Sequence, residues 1–448
     1  MASAAEQLAA NFNFGAIAKA EELKKRIWFT LGALIVYRIG TYIPIPGIDP
    51  VVLQDVFSQN AGGILGMFDM FAGGALSRMT IFALNIMPYI TASIIMQLVT
   101  TVSPQMEALK KEGETGRKII NQYTRYLTVL ICVVQAYGIS AGLEGMSASS
   151  GSAVLDPGLF FRFTTVVTLL GGTMFLMWLG EQITQRGVGN GISLIIFAGI
   201  VANLPTALAS VLELGRTGAM SALFIIFLLV MSVAVVTFIV FVERAQRRVV
   251  VQYPKRQMGN RMTEGQSSHI PLKLNVSGVI PPIFASSILL MPVTVMQFYS
   301  SQDSSPSWLA DLAYYFERGS ILYLLIYVSL IVFFAFFYTA VVFNPQETAD
   351  NLKRHGGFIP GIRPGKNTSE YLDRILTRLT VLGAAYLAAV CMLPELLISN
   401  FEVPFYFGGT SLLIVVSVTL DTVGQIHSHL LAHQYEGLIK KAKLKGRR

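Results

Sequence analysis

The stretch Gly62–Thr101, GGILGMFDMFAGGALSRMTIFALNIMPYITASIIMQLVTT, decides how the chain folds. Its first part, Ile64–Leu76, is apolar with a helical pattern. A helix of that length reaches only about 20 Å, well short of a hydrocarbon layer of about 30 Å. Arg78 separates this part from a full-length apolar run, Met79–Val102. Because such backbone is tolerated at membrane depth only when protein or water surrounds it, the stretch predicts a short re-entrant segment among membrane-spanning helices.

The composition of the whole chain is typical of a polytopic membrane protein. Of its 448 residues, 53% are hydrophobic and only 13% are charged, about half the charged fraction of a soluble protein. Apolar runs of about twenty residues, the length that crosses a bilayer, recur along most of the chain. They predict an all-α protein with ten membrane-spanning helices, at residues 27–44, 79–102, 123–143, 160–180, 191–212, 219–242, 276–298, 320–343, 378–398 and 406–430.

Basic residues are concentrated in one set of segments between the predicted spans. These segments, with the two termini, contain 29 of the 34 Lys and Arg residues. Cytoplasmic segments of membrane proteins carry such an excess of positive charge. We therefore expect both termini in the cytoplasm, which agrees with an even number of spans. No cleavable signal is expected, because the polar residues 1–26 end in Lys24, Lys25 and Arg26.

The midpoint of the chain, ELGRTG at 213–218, leaves five predicted spans on each side. An odd number of spans in each half requires the halves to be inverted relative to each other, and this arrangement places a central site between them. The predicted organisation is a cytoplasmic N-terminal segment at 1–26, an N-terminal half at 27–212, a hinge at 213–218, a C-terminal half at 219–430 and a basic C-terminal tail at 431–448.

Two basic segments, 243–275 and 344–378, are longer than simple connections need to be. The first contains two β-leaning runs, Arg247–Tyr253 and Ser268–Leu274, which predict a hairpin that reaches away from the membrane. The second begins with a predicted helical turn and ends in FIPGIRPG, where proline and glycine stiffen the loop around Arg363. Both are candidate docking surfaces for an acidic protein or for RNA. Membrane topology alone is the other explanation of their charge.

Motifs for catalysis and cofactor binding are not found in the sequence. GEQITQRGVGNGIS at 180–193 is rich in glycine, but it lacks a preceding strand, and no phosphate-binding loop occurs elsewhere. Few ionisable groups lie inside the predicted spans, Arg38 and Asp421 among them, and they do not form the carboxylate and histidine relay of a proton-coupled transporter. His429 and His433 share a helix face without a suitable third ligand. We expect no enzyme activity, metal or cofactor; a secondary transporter of a small solute, built on inverted repeats, is the alternative function.

Seven strings, in matching order over both halves, resemble the SecY family, the central subunits of the bacterial protein-conducting channel. They are IPIPGID (43–49), GGALSRMTIFALNIMPYITASIIMQL (73–98), GTMFLMWLGEQITQRGVGNGIS (172–193), FVERAQRRVVVQYPKRQ (241–257), GVIPPIFASSILL (278–290), FNPQETADNLKRHGGFIPGIRPG (343–365) and VPFYFGGTSLLIVV (403–416). Strings of this length are far more specific than a short motif.

The resemblance implies two pseudo-symmetric, inverted five-helix halves around a central pore, which a ring of apolar side chains and a short re-entrant plug helix close. A narrow apolar ring loses its water and so blocks ions. By position in the family, the ring would consist of Ile86, Ile90, Ile192, Ile196, Ile283 and Ile414. The plug at 64–76 would include Ile64, Leu65, Met67, Phe68, Asp69, Met70 and Phe71. Spans two and seven, flanked by three and eight, would form a lateral gate, with Gln97 on its face.

The resemblance also implies a function: passing unfolded, signal-bearing polypeptides across the bacterial cytoplasmic membrane and releasing apolar segments sideways into the lipid bilayer. The implied partners are the small membrane subunits SecE and SecG, the SecA ATPase, the ribosome with its nascent chain, YidC and SecDF. Docking of SecA or the ribosome would use Lys255, Arg256, Lys353, Arg354 and Arg363. Two positions depart from the family's pattern: Gln346 stands where relatives often have a basic residue, and Pro282 stands where a small residue is more usual.

Overall fold

A computed structural model describes most of the chain. The described residues are 20–49, 52–53, 69, 72–145, 147–148, 151–218, 221–254, 257–258, 261–262, 267–289, 320–401 and 409–445. All structural statements below concern these residues.

Helices make up most of the described chain. They are α1 (Glu21–Gly40), α2 (Met87–Val102), α3 (Pro104–Lys111), α4 (Glu114–Gly145), α5 (Leu159–Arg186), α6 (Gly191–Arg216), α7 (Ala222–Arg244), α8 (Ile280–Leu289), α9 (Ile321–Val342), α10 (Pro345–Arg354), α11 (Lys366–Phe401) and α12 (Gly409–Lys445). The strands are β1 (Ser147–Ala148), β2 (Gly151–Ser152), β3 (Gln246–Gln252), β4 (Gln257–Met258), β5 (Arg261–Met262) and β6 (Ser267–Lys273). They pair as three two-stranded antiparallel sheets, β1 with β2, β3 with β6, and β4 with β5.

Seven of the described helices are long and apolar enough to cross a membrane, namely α4, α5, α6, α7, α9, α11 and α12. Large apolar side chains such as Leu223, Phe227 and Phe333 are exposed on α7 and α9, as lipid-facing helices require. The other three predicted spans fall on α1 and on the shorter apolar helices α2 and α8. The predicted class, a polytopic helical membrane protein, is confirmed, and the count of ten spans stays a prediction.

The chain forms two compact units. The first unit comprises the residues up to Tyr89, Arg125–Pro205 and the residues from Val418 onward, and in it α1 packs against α5. The second unit comprises Ile90–Thr124 and Thr206–Ser417, and in it α11 packs against both α9 and α10. The predicted division into two inverted halves at 213–218 stays a prediction.

The second predicted span begins later than expected, because Met79–Ile86 form successive turns and α2 starts only at Met87. Met79 and Asn85 have φ angles of 44° and 49°, which a right-handed helix does not include. The N of Ile45 donates to the O of Met79 at 2.9 Å. This contact with a distant part of the chain provides a hydrogen bond that a helix would otherwise provide. The predicted helical start at Met79 is wrong, and the ring candidate at 86 lies just before α2.

The segment KKEGETGRK, residues 110–118, consists mostly of helix, although its glycines and charges are typical of a solvated loop. α3 ends at Lys111, and α4 begins at Glu114 after a turn in which Gly113 has a φ of 77°. The Nζ of Lys111 lies 2.8 Å from the Oε1 of Glu107, one helical turn away, and such pairs favour helix. The same ammonium group holds the pKa of Glu107 below its usual value. The charged side chains are exposed, and most of them lie on helices.

The hairpin predicted in 243–275 is confirmed. β3 pairs antiparallel with β6, from Gln246 opposite Lys273 to Gln252 opposite Ser267. Both strands lie within one residue of the predicted runs. The helical turn predicted at the start of 344–378 is confirmed as α10.

Candidate functional site

The two long basic segments form one packed body in the second unit, which we call the basic platform: the β3–β6 hairpin, residues 344–365 with α10, and the start of α11. Its buried apolar core consists of Val249, Val251, Leu272, Leu352, Ile359, Leu372, Ile375, Leu376 and Leu379. Phe358 extends the sheet, because its N and O each form a 2.9 Å hydrogen bond with the backbone of Gln252. A surface built on such a core is held in place before a partner arrives, which lowers the entropic cost of binding.

The N-terminus of α10 is capped by Asn344. The Oδ1 of Asn344 accepts hydrogen bonds from the N of Gln346 at 3.1 Å and from the N of Glu347 at 3.3 Å. Pro345 follows at the first helical position, where its missing N–H costs nothing. The positive end of the helix dipole disfavours a cation in this first turn. Gln346, which departs from the family's pattern, is uncharged and therefore has no unfavourable interaction with this end of the helix dipole.

Three of the five predicted docking residues are exposed on the basic platform. Lys353 and Arg354 lie in the last turn of α10. Arg363 lies between Gly361 and Gly365, whose φ angles are 81° and 105°, and its backbone O accepts a hydrogen bond from the Oγ1 of Thr368 at 3.0 Å. These features define the turn that presents the guanidinium to solvent. The other two predicted residues, Lys255 and Arg256, lie outside the described residues.

Sequence reasoning missed two further cations on this surface. Arg247 and Arg248 are exposed on β3, while the neighbouring Val249 and Val251 are buried. Successive side chains of a half-buried strand point alternately outward and inward. This alternation in the sequence could have placed Arg248 on the outer face. These two arginines enlarge the positive surface next to α10.

Replacing Asn344 with Ala is expected to loosen α10, because the N–H groups of the first turn lose their acceptor. Loss of an N-cap costs about 1 kcal/mol, which corresponds to roughly fivefold faster opening of the helix. Hydrogen exchange of the α10 amides in the full-length protein measures this change. Asn344→Asp keeps the cap and serves as the control; equal exchange in the Ala and Asp variants would show that the cap does not hold the helix.

The six ring candidates lie three in each unit: Ile86, Ile192 and Ile196 in the first, and Ile90, Ile283 and Ile414 in the second. Four of them are buried, Ile86, Ile90, Ile196 and Ile414, each with at most 7% of its surface exposed. The two others are half-buried. Their meeting in a single ring stays a prediction.

The ring candidates on α6, Ile192 and Ile196, come shortly after the point at which α5 and α6 are in close contact. A Cβ atom on Gly191 would lie 1.9 Å from the O of Gly180, so the two helices touch through their backbones, and position 191 accepts only glycine without displacement. At the first turn of α6, the Oδ1 of Asn190 accepts a hydrogen bond from the N of Ile192 at 3.2 Å. The position of Ile192 is therefore set by the backbone contact at Gly191 and by the hydrogen bond to the side chain of Asn190.

Ile283 lies in the first turn of α8, directly after Pro281 and Pro282. N–H groups in the first turn have no acceptor within the helix, so the unusual second proline removes no helical hydrogen bond. The O of Ile283 accepts hydrogen bonds from the Oγ atoms of Ser286 at 2.9 Å and Ser287 at 2.8 Å. The departure at Pro282 is therefore compatible with a regular start of this helix.

Of the predicted plug, the structure describes Asp69, Ala72 and the residues that follow it; Ile64, Leu65, Met67, Phe68, Met70 and Phe71 lie outside the described residues. The Oδ1 of Asp69 accepts a hydrogen bond from the N of Ser77 at 2.8 Å, and its O accepts one from the N of Gly74 at 2.9 Å. Asp69 thereby fastens the plug segment to the turn that follows it.

Two arginines hold the same turn. The Nη1 of Arg38 donates to the O of Gly73 at 2.8 Å, and the Nη2 of Arg78 donates to the same oxygen at 3.2 Å. Both guanidinium groups lie over the ring of Tyr42, with Cζ at 4.9 Å and 4.2 Å from its centroid. A cation over an aromatic face is attracted by the electrons of the ring. Arg38 therefore contacts Tyr42 nearby in the sequence and also binds a turn 35 residues further along the chain.

Gln97, the predicted lateral-gate residue, is half-buried on α2. Its Nε2 lies 3.5 Å from the Oγ of Ser93, and its buried Oε1 accepts no hydrogen bond within the described structure. A polar side chain therefore interrupts the apolar surface of α2 at this position.

Comparison with known proteins identifies the family of this chain. The SecY family model matches residues 80–423. The protein translocase subunit SecY of Rickettsia conorii is 56% identical over 424 residues, which are 95% of this chain and 97% of the relative.

Solved structures agree on the fold. A structure described as a protein conducting channel matches with a TM-score of 0.65 and 18% identity, over 90% of this chain and 92% of that chain. Sec61 in the canine ribosome–channel complex from the endoplasmic reticulum matches with a TM-score of 0.61 and 17% identity, over 90% of this chain and 92% of that chain. With a family match of this extent and identity above one half to a near full-length relative, the chain belongs to the SecY family of protein translocase subunits.

Proposed function

We propose that this chain forms the protein-conducting channel of a bacterial Sec translocase and passes unfolded, signal-bearing polypeptides across the membrane. The observation that carries the proposal is membership of the SecY family along nearly the whole chain. That membership does not favour the alternative, a secondary transporter of a small solute. The channel itself performs no chemistry in this proposal, so the driving energy comes from a partner.

The seal of the proposed channel is apolar. Isoleucine side chains at the six ring positions exclude water from a narrow constriction, and without water ions do not pass. The plug at 64–76 adds a second barrier. The contacts of Gly73 with Arg38 and Arg78, and those of Asp69 with Gly74 and Ser77, support a fixed attachment at the C-terminal end of the plug.

Signal recognition in the proposed channel is a partition between water and lipid. A sufficiently apolar segment leaves sideways into the bilayer, and a polar segment continues through the pore. The lateral opening lies between α2 and α8, with Gln97 on the gate face. Gln97 is a half-buried polar residue on α2, and a polar side chain at a gate disfavours permanent closure by apolar packing.

The basic platform is the proposed docking surface for the SecA ATPase and for the ribosome with its nascent chain. Lys353, Arg354 and Arg363 are exposed on it, together with Arg247 and Arg248. Guanidinium and ammonium groups suit the phosphates of ribosomal RNA and the carboxylates of an acidic protein face. The small membrane subunits SecE and SecG complete the proposed complex, and YidC and SecDF are further proposed partners.

The proposed location is the bacterial cytoplasmic membrane, with both termini in the cytoplasm. The excess of Lys and Arg in the segments 103–125, 243–275 and 344–378 and in the tails supports this orientation. It places the basic platform where a cytoplasmic motor and the ribosome have access to it.

Reconstitution tests the proposed function. The full-length chain, inserted into lipid vesicles with SecE and SecG, is expected to import a signal-bearing preprotein when SecA and ATP are added on the platform side. Protection of the preprotein from external protease measures import. Vesicles without SecA and vesicles without ATP are the controls. Uptake of a small solute without preprotein import would contradict the proposal.

A further inference from the structure

Two distant helices hold the turn Gly187–Asn190, which joins α5 to α6. The N of Val188 donates to the Oγ1 of Thr30 on α1 at 3.0 Å. The N of Gly189 donates to the Oε1 of Gln425 on α12 at 2.9 Å. These acceptors are 158 and 236 residues away in the sequence. The turn is therefore the point at which three separate parts of the first unit are joined.

Side chains also close tightly around this turn. A Cβ atom on Gly187 would lie 2.4 Å from the Oγ1 of Thr30, and one on Gly189 would lie 2.8 Å from the Cδ1 of Leu194. Gly189 has a φ of 90°, which glycine adopts without strain. Val188 is buried in an apolar cluster with Ala20, Leu23 and Leu430. Close packing and hydrogen bonds together hold the turn in a single position.

The turn leads directly into α6, so the position of the turn determines the position of the first residues of α6. The N of Gly191 donates to the Oγ1 of Thr184 at 2.9 Å, and the backbone contact of Gly191 with Gly180 prevents compensating movement at this point. Ile192 is the second residue of α6, and Ile196 follows one turn later. A displacement of the turn therefore moves both ring candidates on this helix.

We propose that Thr30 and Gln425 are positioning residues for the pore ring: by holding the Gly187–Asn190 turn, they set the depth and rotation of Ile192 and Ile196. This inference rests on the proposed channel function, because the position of an isoleucine matters in this way only if it seals a pore. Both residues act through the backbone of the turn.

Matched variants separate the hydrogen bond from the shape of each side chain. Thr30→Val keeps the shape and removes the acceptor, and Thr30→Ser keeps the hydroxyl. Gln425→Met removes the acceptor, and Gln425→Glu keeps an oxygen at a similar distance from the backbone. Thr168→Val is the control, since the Oγ1 of Thr168 donates to the O of Thr164 on its own helix at 2.7 Å.

The test uses the full-length chain in its reconstituted complex, at equal amounts of assembled protein. Hydrogen exchange of the Val188 and Gly189 amides reports on the turn, and ion leak and the import of a preprotein with a defective signal report on the seal. Thr30→Val and Gln425→Met are expected to raise all three by about fivefold, the usual effect of losing one hydrogen bond. Thr30→Ser, Gln425→Glu and Thr168→Val are expected to behave like the unmodified chain.

Ile192→Asn, measured in parallel, distinguishes failure of the inference from failure of the proposed ring. If exchange rises in Thr30→Val and Gln425→Met, and leak and selectivity change only in Ile192→Asn, the ring stands and the positioning role is overturned. If exchange does not rise, the hydrogen bonds do not hold the turn, and the inference is also overturned. If Ile192→Asn has no effect on the seal either, both the ring assignment and the inference are overturned.

Discussion

Replacing Ile86 with Asn is expected to raise the ion leak of the reconstituted channel at least about tenfold and to admit preproteins with defective signals. Ile86 is 1% exposed, and as a member of the proposed ring it would exclude water from the constriction. An amide side chain retains water, because burial without a partner costs about 1–3 kcal/mol. A barrier lowered by about 1.4 kcal/mol passes ions ten times faster. Ion flux through vesicles, and the import ratio of defective to intact signals, measure the two effects.

Ile414→Asn tests the same seal from the second unit and is expected to act in the same direction. Ile139 is the matched control, since it is 4% exposed on α4 and is not a ring candidate; Ile139→Asn carries the same polar change into a buried site. Comparison at equal amounts of assembled complex separates a leak from general destabilisation. Unchanged leak and selectivity in both ring variants would contradict the pore assignment.

Replacing Arg363 with Glu is expected to slow SecA-driven import by about tenfold while the complex with SecE and SecG still assembles. Arg363 is exposed in a turn fixed by neighbouring glycines and by the Thr368 hydrogen bond. Reversal of its charge turns attraction for an acidic partner into repulsion, which affects the encounter and the bound state. The initial rate of protease-protected import, at several SecA concentrations, measures the loss.

Arg216→Glu is the control for this charge reversal. Arg216 is an exposed arginine in an ion pair with Glu213, and the proposed orientation places it on the opposite side of the membrane from SecA. Arg363→Lys is expected to retain part of the rate, because it keeps the charge and loses the two-pronged geometry of the guanidinium. A normal import rate in Arg363→Glu would remove this residue from the docking surface.

Local patterns were sufficient to predict several elements of this fold. The apolar runs predict long membrane helices because their length matches the thickness of a bilayer. The β3–β6 hairpin was predictable because two β-leaning runs flank a turn-rich segment, and the proline after Asn344 indicates the start of α10. In each case, residues close together in the sequence are sufficient to predict the element.

Features that depend on distant residues could not be predicted from the sequence. The turns at Met79–Ile86 replace a helical start, because residues 43–45 supply hydrogen bonds that the local sequence does not reveal. The bonds from Thr30 to Val188 and from Gln425 to Gly189 join residues far apart in the chain. An isoleucine in a ring looks like any other isoleucine in a membrane helix, so only the family resemblance indicated those positions.

The length of α11 has a mechanical consequence. It runs for 36 residues from Lys366 to Phe401, with Pro394 inside it. At 1.5 Å per residue it is about 54 Å long, which is longer than the hydrocarbon layer is thick. Leu372, Ile375 and Leu379 anchor its first turns in the core of the basic platform. In the proposed channel, a motor docked on the basic platform would push on the start of this helix. The part of the helix before Pro394 would carry that force into the membrane as one segment.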